Sequence, residues 1–260
     1  MPQFRFHLFD AIDKHSHYFS KELGYSSLME HSYTREHLKR SDWFQGFDGR
    51  EMFAEELGCY ASHYMLWLEC IKSNQPIVIL EDDFELQPHF YQSILDCLHS
   101  PFEIVRLWVG FEITFPSHSV VGANHGLMVL PTNVNREVIF KEHFYMTLRD
   151  VYGASAYYIT PKAAKILVSH SLHFSEPADQ FLNIVRIHKL PSIVYIPLSV
   201  RFNTHNTKST IFTEENARLS TIDPLYKKRN KQQPLKRWIS EMRRHYYYHY
   251  FLRKYASLIS

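Results

Sequence analysis

Four apolar residues, Ile77-Val78-Ile79-Leu80, run straight into three acids, Glu81-Asp82-Asp83. A short apolar run of this kind reads as a buried strand of a mostly parallel sheet. Three adjacent carboxylates are costly to hold in a fold unless a cation or solvent offsets their charge. Open α/β sheets bind ligands at the carboxyl ends of their strands. The stretch therefore points to a divalent ion held by oxygen ligands and clamping a phosphate group. The competing reading is a solvated acidic turn with no chemistry.

The rest of the middle of the chain suits such a sheet. Leu57, Tyr60, Ala61, Tyr64, Leu68 and Ile71 step by three or four, which predicts a helix over 51–73 with one apolar face. Pro88 opens a second helical stretch over 88–98. Strands are expected over 102–109, over 152–160 and over 193–196, with short ones around 111–115 and 126–130. Thr160 can cap the helix that begins at Pro161, and Ser175 one that contains Asp179. Phe4, Phe6, Leu8 and Phe9 alternate with Arg5 and His7 and read as a further strand. Strands alternating with helices imply an α/β fold with helices on both faces of the sheet.

Length and composition narrow the class. The chain has 260 residues, 45% of them hydrophobic, enough for one large α/β domain with an appendage. A formal charge of +2 is too small to mark the whole molecule as a nucleic-acid binder. Cys59, Cys70 and Cys97 are too few and too widely spaced for a disulfide framework or a zinc knuckle, and they suit a reducing compartment. Cys59 and Cys70 read as core residues. No leader-like or membrane-spanning apolar run is visible, so the expected location is cytoplasmic, with membrane contact at a surface.

Several motifs in order resemble glycosyltransferase family 25, the bacterial lipooligosaccharide enzymes related to collagen galactosyltransferases. They are Gly58-Cys59-Tyr60-Ala61-Ser62-His63-Tyr64 with Leu66-Trp67, then Ile79-Leu80-Glu81-Asp82-Asp83, then Gly153 to Ala164, then Pro177-Ala178-Asp179-Gln180-Phe181. The resemblance runs over roughly residues 4–211. It implies a GT-A type, Rossmann-like fold over residues 1–224. It also implies a UDP-sugar donor, usually UDP-galactose, a divalent ion such as Mn²⁺, and inverting transfer to an oligosaccharide hydroxyl. By resemblance Asp83 ligates the metal, and Glu81 or Asp82 reaches the ribose or a metal-bound water. Asp179 matches the family's second acid and is the candidate base, against the alternative of an acid placed at a helix N-terminus. His205 is a candidate further metal ligand, although a lone His is more often a surface residue. Ser62 and His63 are given a donor-side role with no chemistry assigned. A relative that keeps the fold but has lost turnover is the rival. A phosphotransfer or receiver-type domain also clusters acids at strand ends, but the long interval between the two acidic motifs and the lack of a Walker-type glycine loop disfavour it.

Two expectations concern the ends. Residues 225–260 form a basic, aromatic helical tail, in which Glu241 is the only acid after Lys227. Leu235, Trp238, Ile239, Met242 and Tyr246 share one helical face, with Lys236, Arg237, Arg243 and Arg244 on the other side. That pattern suits an anionic membrane surface. A helix packed on the domain with a solvated basic face is the alternative, and an RNA-binding tail a weaker one. At the other end, Phe4 to Asp13 resembles the second strand of the family's opening unit, so the unit's first strand is expected to lie upstream or to be replaced.

Overall fold

The computed structural model describes residues 4–13, 52–109, 112–113, 120–121, 138–146, 151, 153–171, 176–203 and 234–259. The first long element is α1, Ala54–Ser73. At its start the Glu56 carboxylate accepts the Phe53 N–H at 2.8 Å. It stops at Asn74, whose positive φ of 51° is tolerated by Asn, and Pro76 prevents resumption. There follow β1 (Ile77–Leu80), β2 (Phe84–Leu86), α2 (Phe90–Leu98) and β3 (Ile104–Arg106). A two-stranded ribbon, β4 (Glu112–Ile113) with β5 (Val120–Val121), precedes the hairpin of β6 (Val138–Phe140) and β7 (Phe144–Met146). Next come β8 (Ala156–Ile159), α3 (Pro161–His170), α4 (Ala178–Phe181), α5 (Val185–His188), β9 (Ile193–Tyr195) and β10 (Val200–Phe202). The last helix is α6, Pro234–Lys254, followed by a 3₁₀ turn at Ala256–Leu258.

Six strands form the main sheet in the order β1-β8-β3-β9-β7-β6. β1, β3, β9 and β6 run one way, and β8 and β7 run the other. The majority direction is the one expected of a mostly parallel sheet. The reversed strands are interleaved with the rest, however, so β3–β9 is the one parallel neighbour pair among the described residues. The reason is topological: β8 does not extend the sheet at an edge but enters between β1 and β3, in antiparallel register with both.

Side-chain alternation on these strands builds two apolar layers. Tyr157 and Ile159 of β8 point to the layer under α1, α3 and α4, where Tyr60, Trp67, Ala163, Leu167 and Phe181 are buried. Ala156 and Tyr158 point to the other layer, which holds Phe90, Phe102, Phe144 and Tyr195. Helices on both faces are therefore present. The end of α6 and the residue just after it belong to that second layer: Phe251 and Tyr255 are buried there, and Tyr255 meets Phe102 edge-on with centroids 5.0 Å apart. Upstream on the same helix Leu235, Trp238, Met242 and Tyr246 are exposed.

Two expectations are corrected here. Phe4–Phe9 is not a strand; the segment is irregular, and Phe6, Leu8 and Phe9 are exposed. Its alternation finds no sheet edge to pair with, and the chain is fastened instead at Ile12, which is buried and donates its N–H to Ser62 Oγ at 2.8 Å. The strand over 102–109 contracts to Ile104–Arg106, although Leu107 and Val109 stay buried. The strand expected around 126–130 and the Ser175 cap lie outside the described residues. Thr160 does cap α3, accepting the Ala163 N–H at 3.3 Å, with Pro161 in the first turn.

Candidate functional site

The carboxyl end of β1 delivers Glu81, Asp82 and Asp83 to the margin of the sheet, where α1, β8 and β3 converge. The three acids are not equivalent. Asp82 is exposed. Glu81 is tied back into the fold: its N–H donates to Ser155 O at 2.8 Å, and its Oε1 lies 3.3 Å from His63 Nε2 and 3.9 Å from Cys59 Sγ. Burial works against its ionisation, yet the bonds from His63, Ser155 and Cys59 outweigh that and hold its carboxyl below the usual range. Asp83 has the opposite surroundings. Its Oδ1 is buried with no hydrogen-bond partner among the described residues. Burial, with the charges of Glu81 and Asp82, pushes its carboxyl above the usual range. An unpaired buried carboxylate oxygen in a field of like charge is a place where a cation is stabilising.

The backbone of Asp83 is itself held, since Asn203 donates its N–H to Asp83 O at 2.7 Å. This continues the β10–β2 ribbon, in which Phe202 opposes Phe84. His205 follows two residues after Asn203 and lies outside the described residues.

Ser62 and His63 are both buried in α1. Ser62 Oγ accepts from Ile12 N–H and donates to Gly58 O at 2.9 Å, so it fastens the N-terminal segment to the helix. Gly58 is required by the same contact, because a Cβ there would stand 2.4 Å from Ile12 O. His63 reaches Glu81 with one ring nitrogen and Tyr157 with the other, the latter at 2.8 Å.

Asp179 opens α4 and is half-buried. Its Oδ2 accepts the Gly153 N–H at 3.1 Å and its Oδ1 the Gln180 N–H at 2.8 Å. Burial raises its carboxyl despite these bonds. Gly153 has a φ of +85°, and a Cβ there would strike the Trp108 ring at 2.3 Å, so the turn that Asp179 holds accepts only glycine.

Arg106 lies within the charge field of both Asp179 and Glu81. It is 4% exposed, donates to Gly153 O at 3.1 Å, and stands over the Tyr157 ring at 5.6 Å. Burial lowers it to about 10, which still leaves it charged at neutral pH, and the interactions with the Tyr157 hydroxyl and with the Asp179 and Glu81 carboxylates act in the other direction. Cys59 is close enough to Glu81 and Asp179 that both raise its thiol further, after burial. The structure thus brings Glu81, Asp83, His63 and Asp179 towards one end of the sheet, while the Ser62 side chain turns to Ile12 and Gly58 instead. Sequence reasoning missed Arg106 and Tyr157. A lone Arg inside the apolar run Ile104-Val105-Arg106-Leu107-Trp108 was the available signal for the first.

A mixed α/β fold that brings several carboxylates to the end of a strand has the arrangement at which such sheets bind ligands. A sequence model of glycosyltransferase family 25 (LPS biosynthesis protein) matches residues 2–182, and the chain belongs to that family. It is 26% identical over 149 residues to procollagen galactosyltransferase 1-B of Xenopus laevis, a match covering 54% of this chain and 21% of that protein. It is 28% identical over 144 residues to a protein of Rattus norvegicus named probable inactive glycosyltransferase 25 family member 3, covering 54% of this chain and 22% of the relative. The chain thus spans about a fifth of the length of these curated relatives.

Proposed function

We propose that this protein is a metal-dependent, inverting glycosyltransferase of GT-A type that moves a sugar, galactose first among the candidates, from a UDP-sugar to a hydroxyl of a lipooligosaccharide. The observation that carries the reading is the unpaired, buried Asp83 oxygen beside Glu81 and Asp82, in a member of family 25. Asp83 would hold the divalent ion, Mn²⁺ being the leading candidate, with His205 as a further ligand. When bound, such an ion supplies Lewis-acid stabilisation of the diphosphate leaving group. Glu81 and Asp82 would meet the donor's ribose or a metal-bound water. Asp179 is the proposed base: its raised proton affinity suits removal of the acceptor's hydroxyl proton, and its bonds to Gly153 and Gln180 fix where the carboxylate stands. Ser62 supports the site through the segment it fastens.

The deciding experiment is UDP release from a panel of UDP-sugars, with and without Mn²⁺. Metal-stimulated release from one donor supports the reading; binding without release by the intact protein favours an inactive relative, a reading favoured by the name of the rat protein. Asp83→Ala is expected to abolish metal-dependent turnover and leave the fold intact, since it removes an unpaired charge. Full activity of the variant at low Mn²⁺ would refute the assignment. Asp179→Asn is expected to lower kcat by about a hundredfold or more.

No helix among the described residues is long and apolar enough to cross a membrane. The exposed face of α6, bearing Leu235, Trp238, Ile239, Met242 and Tyr246, with the exposed Arg243 on the same helix, suits an anionic membrane surface, which would hold the enzyme at the cytoplasmic face where a glycolipid acceptor is reached.

A further inference from the structure

Behind Glu81 lies a hydrogen-bond chain whose direction can be worked out. Trp67 Nε1 lies 2.8 Å from the Tyr157 hydroxyl, which lies 2.8 Å from His63 Nδ1; His63 Nε2 in turn lies 3.3 Å from Glu81 Oε1. An indole N–H can only donate, so the Tyr157 oxygen accepts from Trp67. The single hydroxyl proton of Tyr157 then has His63 Nδ1 as its acceptor among the described residues. A neutral imidazole that accepts at Nδ1 carries its proton on Nε2, which is the nitrogen facing Glu81. Every donor in the chain is thereby used, and the last one points at the carboxylate.

A different reading of the same place has to be weighed. The ligand atoms of Cys59, His63 and Glu81 lie within 4.8 Å of one another, a sulfur, nitrogen and oxygen set that would suit zinc. The direction of the chain argues against it. The nitrogen a metal would need is Nε2, and the Tyr157 bond puts the proton there. Moving it to Nδ1 would leave the buried Tyr157 O–H without an acceptor among the described residues.

We propose that His63 is a positioning residue, locked as the Nε2–H tautomer by Trp67 and Tyr157, that holds the Glu81 carboxylate in a single orientation for contact with the sugar-nucleotide donor. This rests on the reading of function given above. The bond ties Glu81 Oε1 inward, and the Ser155 hydroxyl and Cys59 thiol add to the hold, so the acid meets an incoming ligand already oriented. Glu81 and Asp83 then divide the work: one is a fixed acceptor, the other an open ligand.

Two measurements on the full chain test this. The first is the ¹⁵N spectrum of the His63 ring, assigned by its loss in His63→Gln. The Nε2–H neutral form is expected, giving way to a tautomer mixture in Tyr157→Phe. An Nδ1–H form, or a thiolate-to-metal absorption band on adding Co²⁺, would overturn the proposal in favour of the metal reading. The second is steady-state kinetics of His63→Leu, His63→Gln and Tyr157→Phe. In His63→Leu the donor KM is expected to rise roughly ten- to a hundredfold, with kcat changed far less. His63→Gln keeps an N–H that can reach Glu81 and should recover most of that loss, which a merely space-filling role would not produce. Equal losses in the Gln and Leu variants, with matched melting curves, would sink the inference alone. A wild-type protein that neither binds nor turns over any UDP-sugar would sink the functional reading, and the donor-positioning role with it. The ring spectrum would still decide the tautomer in that case.

Discussion

Helices α1 and α6 are nearly equal in length, 20 and 21 residues, and both carry Trp and Tyr. Their fates differ. Trp67 of α1 is fully buried, whereas Trp238 of α6 is 55% exposed. On α1 the rings turn inward: Tyr60 and Phe181 both lie within 5.9 Å of Trp67, centroid to centroid. The odd residues there are the buried polar ones, Glu56, Ser62 and His63, and each is hydrogen-bonded. On α6 the odd residues are the exposed apolar ones upstream of a single buried end. A buried polar group on a covered helix and an exposed apolar group on an open one carry the same kind of message, because each departs from what burial alone would select.

Four measurements would break or sharpen this contrast. The largest effect is expected from Trp67→Ala, which should cost about 3–5 kcal/mol in urea unfolding, while Trp238→Ala stays within about 0.5 kcal/mol of wild type. Equal losses would end the comparison. Gly58→Ala comes next. Alanine favours a helix by up to about 1 kcal/mol, but the added Cβ would meet Ile12 O, and the net should be a loss of about 1–3 kcal/mol. A stabilised variant would show that the N-terminal segment yields at no cost.

Acid should act on the α1 side through His188. It is buried, donates from Nε2 to Leu182 O at 3.2 Å, accepts the Leu190 N–H at Nδ1, and packs its ring on Phe181. Burial, the largest influence, lowers it to about 3 from the ordinary 6.5. The unfolded chain therefore takes up a proton below about pH 6.5 that the folded chain refuses until near pH 3, so stability is full above 6.5 and falls with acid across that window. The slope should approach about 1.4 kcal/mol per pH unit, and His188→Gln should flatten it in unfolding curves taken from pH 7 to pH 4. The smallest effect is on α6. Trp238→Ala should weaken co-sedimentation with anionic vesicles severalfold and leave the melting temperature unchanged. Substitution is the right probe, because removing residues 225–260 would also strip Phe251 and Tyr255 from the core. Binding equal to wild type would leave the exposed face of α6 without a membrane role.

The fold was legible where local chemistry decides it. Asn74 and Pro76 end α1, Thr160 and Pro161 start α3, and the apolar run Ile77–Leu80 is a strand. It was not legible where pairing decides it. Phe4–Phe9 alternates well enough for a strand but meets no edge, and nothing in Ala156–Ile159 says that it enters the middle of a sheet in reverse. In the site, three acids in a row announced themselves, but their inequality did not. That Glu81 is held and Asp83 is not depends on His63, Cys59 and Ser155, which reach the acid from elsewhere in the chain. The stripe of α1 that is most completely covered runs through Tyr60, Trp67 and Cys70, whereas apolar periodicity had pointed as much to Leu68 and Ile71, which are only partly covered.

The position of β8 also governs how the chain can be made. β1 and β3 are translated early, yet among the described residues the strand that joins them is Ala156–Ile159, which leaves the ribosome much later. Until then the nascent chain carries two apolar strands with their facing edges open, the condition under which polypeptides stick to one another or to chaperones. Closing the gap needs contacts between distant parts of the chain, which slows folding. Synthesis of β8 thus joins β1 to β3, with β9 joining β3 to β7 only afterwards, and the arrival of β8 brings Tyr157 to His63 and so assembles the support beneath Glu81.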